Sequence, residues 1–214
     1  MRSARGFLFC FIAAALFAAP AVARAPDGLT LEYRILRNGS EIGRHRVSFV
    51  HGDDAMTVKT EVRIEVSFAF ITLYRYALDG VEIWRHGRLA ELHTTTDDDG
   101  DNYAVHALAN GDTIVIEAGG DKWTAPATAM PSSLWHPDLA RGPLLIGVEQ
   151  GERMVVAAEE ISREVVPARG GEVSATHLVV SGELERELWY DDDGILVHLR
   201  LIARDGSNIV YVLE

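Results

Sequence analysis

The chain reads as mainly β: an antiparallel, strongly curved sheet or open β-barrel built from hairpins, with one proline-rich crossing segment and little helix. Three observations predict this. Apolar residues recur at every second position in run after run, the signature of strands with one buried face. Tight-turn dipeptides separate those runs, leaving strands of roughly six to eleven residues. No segment carries a convincing long amphipathic helical period.

The first element is an address rather than a fold element. Arg2 and Arg5 precede an uncharged apolar run, Gly6 to Ala19, and Ala21-Val22-Ala23 supplies the small-x-small pattern cut by signal peptidase. The run falls short of the about 20 residues that cross a bilayer, so residues 1–23 read as a cleaved signal peptide and the mature chain as periplasmic. Residues 24–214 then form a single β-rich domain. It comprises two meanders, about 29–124 and 153–214, joined by 125–152. The sole cysteine, Cys10, lies inside the signal behind the bulky Phe7-Leu8-Phe9, which does not suit a lipoprotein box. A mature chain without cysteine has no disulfide, no thiolate metal site and no thiol nucleophile.

Within the domain, Leu29, Leu31, Tyr33 and Ile35 alternate with polar residues, and Asn38-Gly39 favours the type I′ turn of a hairpin. Glu41 to Val50 is the return strand. Met56, Val58, Val62, Ile64 and Val66 define the next, with Thr60 the one polar member of that face. Further turns are marked by His86-Gly87, Asp97 to Gly100, Asn110-Gly111, Gly119-Gly120, Asp191 to Gly194 and Asp205-Gly206. Val155 to Val166 is ambiguous between strand and helix. Pro126 to Pro143 holds four prolines, which central strands exclude. It reads as a long connection with one helical turn starting near Ser132 or Ser133, whose hydroxyl would cap it. Connections of this length are often functional, although this one could equally be a linker with Trp135 plugging the core. A weak echo relates Glu82-Ile83-Trp84 and the strands after it to Glu187-Leu188-Trp189 and its successors; any β-meander repeats such chemistry.

Composition narrows the partners. The chain carries a formal charge of −12, and without Arg2 and Arg5 the mature part keeps 18 basic against 32 acidic side chains, −14. Nucleic acid and anionic headgroups repel such a surface. No transmembrane segment follows the signal. Nucleotide-binding glycine loops and zinc ribbons are absent, so no cofactor and no metal are expected. The strand histidines His45, His93, His106, His177 and His198 lack ligand spacing, and the aspartate runs suit turns better than calcium loops. Ser132 and Ser133 near His136 lack a nucleophile elbow, so no catalytic residue is assigned and hydrolase ranks third. The candidate ligand-binding set is aromatic: Phe68, Phe70, Tyr74, Tyr76, Trp84, Trp135 and Trp189. These side chains could line an apolar interior under the proline-rich segment, or simply fill a core.

Several stretches carry a resemblance. They are Leu31 to Gly43, Leu73-Tyr74-Arg75-Tyr76, Thr96 to Gly100, Pro131-Ser132-Ser133-Leu134-Trp135-His136-Pro137 and Leu188-Trp189-Tyr190-Asp191. Together they resemble a family of exported proteobacterial proteins, domain of unknown function 6134, with His136 where Asn is expected. The resemblance implies a periplasmic, β-rich single domain with no established activity. At the level of meander and curved sheet the chain is also similar to lipoprotein carriers and other lipid-handling half-barrels. The leading expectation is therefore non-catalytic binding of an apolar or amphipathic ligand, followed by an interaction module for another envelope protein.

Overall fold

The computed structural model describes residues 28–214; the expected signal peptide lies outside the described residues. Fifteen strands form one sheet. The first eight are β1 (Thr30–Arg37), β2 (Ser40–His51), β3 (Met56–Phe68), β4 (Ile71–Arg85), β5 (Arg88–Asp98), β6 (Asp101–Asn110), β7 (Thr113–Ala118) and β8 (Asp121–Pro126). Then come β9 (Met130–Pro131), helix α1 (Pro137–Arg141) and β10 (Leu144–Ile146). The rest are β11 (Arg153–Ala168), β12 (Gly171–Gly182), β13 (Arg186–Tyr190), β14 (Leu196–Ile202) and β15 (Asn208–Leu213). Their spatial order is β8 down to β1, then β15 down to β9, and the sheet does not close. Every pairing is antiparallel except β9 with β10. The two meanders meet at a seam where β1 pairs β15, with Tyr33 opposite Leu213 and Arg37 opposite Ile209.

Alternation places the residues as their chemistry demands. Leu31, Tyr33 and Ile35 are buried from β1, Val47 and Phe49 from β2, and Val58 and Val62 from β3. The turns follow backbone chirality. Asn38-Gly39, His86-Gly87, Asp99-Gly100 and Arg169-Gly170 each take positive φ at both central residues, the geometry whose twist matches the flanking strands. The ambiguous stretch Val155 to Val166 is strand: long pairing with β12, interrupted by one irregularity between Glu160 and Ser162, outweighs its local helix preference.

The proline-rich segment crosses from one meander to the other, and it does so inside the molecule. Leu134, Trp135, Leu139, Ala140, Leu145 and Ile146 are all buried. A buried connection must satisfy its own backbone, and this one borrows partners from both sides. Thr94 donates to the Val148 carbonyl (2.6 Å), Trp123 Nε1 to the Gly151 carbonyl (2.8 Å) and the Tyr190 hydroxyl to the Leu134 carbonyl (2.8 Å). The expected helical turn lies further on than Ser132 or Ser133. Pro137 opens α1, where a proline's missing N–H costs nothing, and His136 is the cap, its Nδ1 accepting from the Asp138 N–H at 3.2 Å. Ser132 cannot cap because its hydroxyl oxygen accepts from the Val148 N–H (3.1 Å).

Three clusters make the core. The largest packs Phe49, Trp84, Leu92, Ile114 and Trp135 with residues of both meanders. A second joins Leu134 and Leu145 to Leu178, Leu188 and Tyr190. The smallest, Ile35, Val62, Leu78 and Ile209, draws on β1, β3, β4 and β15 and leaves Ile42, Ile64, Tyr76 and Tyr211 only partly covered.

Candidate functional site

Of the aromatic residues singled out above, Trp84, Trp135 and Trp189 share the largest core cluster, whereas Phe70, Tyr74 and Tyr76 lie on the β3–β4 hairpin. Trp84 and Trp135 meet edge to face at 5.7 Å, with Phe49 against the other side of Trp135. Both indole N–H groups donate to Oε2 of Glu82, at 2.8 and 3.0 Å. That carboxyl is 3% exposed; burial raises its pKa, and the neighbouring Ser133 hydroxyl and the two indole N–H groups oppose the rise. Trp189 belongs to the other meander. It stacks on His177 at 4.3 Å and donates to Glu164 (3.2 Å). Phe70 is fully exposed at the β3–β4 turn. The Phe68 side chain lies outside the described ones. Tyr74 and Tyr76 are half-buried, and Tyr74 donates to Asp98 at 2.7 Å.

Tyr76 does line a cleft, in company that alternation alone did not reveal. Gly43 lies in the middle of β2, opposite Ile64. A Cβ there would stand 2.1 Å from the Arg63 carbonyl oxygen and 2.8 Å from the Ile64 Cα, so only glycine allows β2 and β3 to approach this closely. Pairing between β2 and β3 begins at that contact. Beyond it β3 and β4 continue together as a two-stranded arm. The wedge left between arm and β2 is a cleft of about 440 Å³. Its walls are Ile42, Ile64, Tyr76 and Ala77, and its rim carries charges of both signs, Arg44, Arg63 and Arg75 with Glu65 and Asp97.

Behind Tyr76 the surroundings turn polar. Its hydroxyl is hydrogen-bonded to Glu149, whose carboxyl is pushed up by burial and held back by that same bond. Glu149 lines a second cavity of about 250 Å³ with Ser132, Val148, Glu152, Leu184 and Arg186. Burial depresses the Arg186 pKa and raises that of Tyr211 to about 12. Tyr76 therefore stands between an apolar cleft and a chamber lined by the carboxyls of Glu149, Glu152, Glu183 and Glu185 and the Arg186 guanidinium. Such an arrangement suits a molecule with an apolar body and a polar end.

The other candidate chemistries find structural employment. His136 caps α1, Ser132 holds Val148, and Ser133 lies beside Glu82, so the three do not form a nucleophilic relay. Asp97 accepts from the Gly100 N–H, and Asp191 from the N–H groups of Asp193 and Ile195, which is turn chemistry. Among the described residues no three of His, Cys, Asp and Glu converge as metal ligands.

With this geometry in view, the chain belongs to the family described as domain of unknown function (DUF6134), whose model matches residues 33–214. No curated protein matches it. Its fold is similar to that of a solved β-barrel-like protein of domain of unknown function DUF1849 from Brucella abortus. The two are 9% identical at a TM-score of 0.59, over 88% of this chain and 98% of that one. A DUF1089 family protein from Pseudomonas aeruginosa is 15% identical, at a TM-score of 0.39, over 86% and 95% of the two chains.

Proposed function

We propose that this member of the DUF6134 family is a periplasmic binding domain that holds an apolar or amphipathic small molecule between β2 and the β3–β4 arm. One observation carries the reading: a cleft of about 440 Å³ walled by Ile42, Ile64, Tyr76 and Ala77, backed by Glu149 and Arg186. The volume falls in the roughly 300–1,000 Å³ range of small-molecule sites. The large aromatics are not the binding surface in this reading. Trp84 and Trp135 are core, tied to Glu82, and support the site only by fixing the crossing segment.

The test is native mass spectrometry of protein purified from its own envelope, before and after extraction with organic solvent. The expected result is an adduct that extraction removes and that Ile64→Arg, which fills the cleft, abolishes. A bare mass for residues 24–214, with no uptake of an uncharged fluorescent fatty amide, would overturn the reading.

A second reading has its own observation. Beyond Val155, β11 has a strand partner on one side only among the described residues. A free edge of this length can accept a strand from another envelope protein. Photo-cross-linking from Ala157 or Arg163 in intact cells tests it, a discrete adduct supporting the edge and none excluding it.

A further inference from the structure

We propose that the tip of the β3–β4 arm, Phe70 to Leu73, docks the domain on the surface of a zwitterionic lipid bilayer. Phe70 is fully exposed, and Ile71 and Leu73 are 65% and 59% exposed. From Val66 to Tyr74 nine residues carry no charge, in a chain of which 24% is charged. A contiguous apolar tip on a protruding arm calls for an apolar environment.

Shape and area select a lipid surface over a protein. The last pair of the arm, Phe68 with Ile71, stands three residues beyond Glu65, about 10 Å at strand rise, and Phe70 lies in the turn past it, enough for the 5–10 Å or so that interfacial elements penetrate. Three side chains offer a few hundred Å² at most, well under the about 800 Å² per partner of a stable protein interface. Behind the tip one face of the two strands becomes charged at once, through Arg63, Glu65 and Arg75, and the other carries only the half-buried Ile64, Val66, Tyr74 and Tyr76. Arg75 pairs with Glu65 (3.3 Å) and Arg63 with Asp79 (2.6 Å). An apolar tip followed by a belt of paired opposite charges matches acyl chains followed by headgroups that bear both signs. The overall charge of −12 disfavours anionic lipid.

The experiment is flotation of ligand-free protein with vesicles of phosphatidylcholine and phosphatidylethanolamine at physiological ionic strength. Wild type should float with the vesicles, and Phe70→Asp/Leu73→Asp should lower partitioning by about tenfold or more. Val165→Asp, at an exposed apolar position on β11, should float like wild type. Phe70→Ser replaces the double variant if that one fails to fold. Wild-type protein left at the bottom of the gradient, or equal flotation of wild type and tip variants, would overturn the proposal. So would a wild-type dimer that the tip variant dissolves in sedimentation velocity, because a second copy would then cover the tip. Ile64→Arg keeps the tip and should still float, so failure of the cleft reading and failure of this one are told apart.

Discussion

At the scale of single residues, buried titratable groups tie stability to pH in opposite senses. His45 packs against Tyr33 at 5.2 Å and Tyr211 at 5.8 Å, and burial lowers its pKa from 6.5 to about 4. The unfolded chain therefore binds a proton between those values that the folded chain refuses. Stability from this group is complete above pH 6.5 and declines as pH falls towards 4, by up to about 3 kcal/mol. His45→Phe keeps an aromatic ring between the tyrosines and removes that decline. Its melting temperature should change less than that of wild type between pH 7 and pH 4.5, as scanning calorimetry would show. Glu82 works the other way: its raised pKa makes the folded state the better proton binder, so its contribution weakens as pH rises above 4.5. Neither effect is visible in the sequence. A histidine on a strand and a glutamate before a tryptophan become buried groups only when residues far along the chain close over them.

At the scale of elements, the β2–β3 contact decides whether a cleft exists. Gly43→Ala would force β2 away from the Arg63 carbonyl and break the register where the wedge begins. A loss of about 1–3 kcal/mol in urea denaturation is expected, together with loss of any ligand retained by wild type. Elements were legible where local chemistry demands them. Asn38-Gly39 announces a turn because both residues must take positive φ, and Met56 to Val66 announces a strand by its alternation. The site was less legible. Aromatic size singled out Trp84, Trp135 and Trp189, which are packing residues of the largest core cluster, Trp84 against Trp135 and Trp189 stacked on His177. Ile42 and Ile64 are unremarkable as letters and matter only because the Gly43 contact opens a wedge between their strands. A glycine in mid-strand was the available signal. Glu149, just before β11, and Arg186, the first residue of β13, are brought together because β11 and β12 pair antiparallel, a juxtaposition no local pattern encodes.

At the scale of the molecule, the sheet is two meanders held by one seam and one buried crossing. Within each meander neighbouring strands are joined by short turns and can pair as soon as they exist. The seam is different. Tyr33 and Leu213, which face each other across it, are 180 positions apart (213 − 33). Contacts so distant in sequence are slow to form, since a long loop must close before they contribute. The seam should thus be largely absent from the folding transition state. Val212→Ala, a deletion within β15, is expected to accelerate unfolding while leaving the folding rate within about twofold of wild type, which a denaturant chevron would reveal. There is a consequence for the order of events in time. Until β15 arrives, β1 presents an open edge to every other newly made chain nearby. The half that is made first must wait for the half that is made last, and any helper that escorts this protein should be judged by how well it shields β1 during that interval.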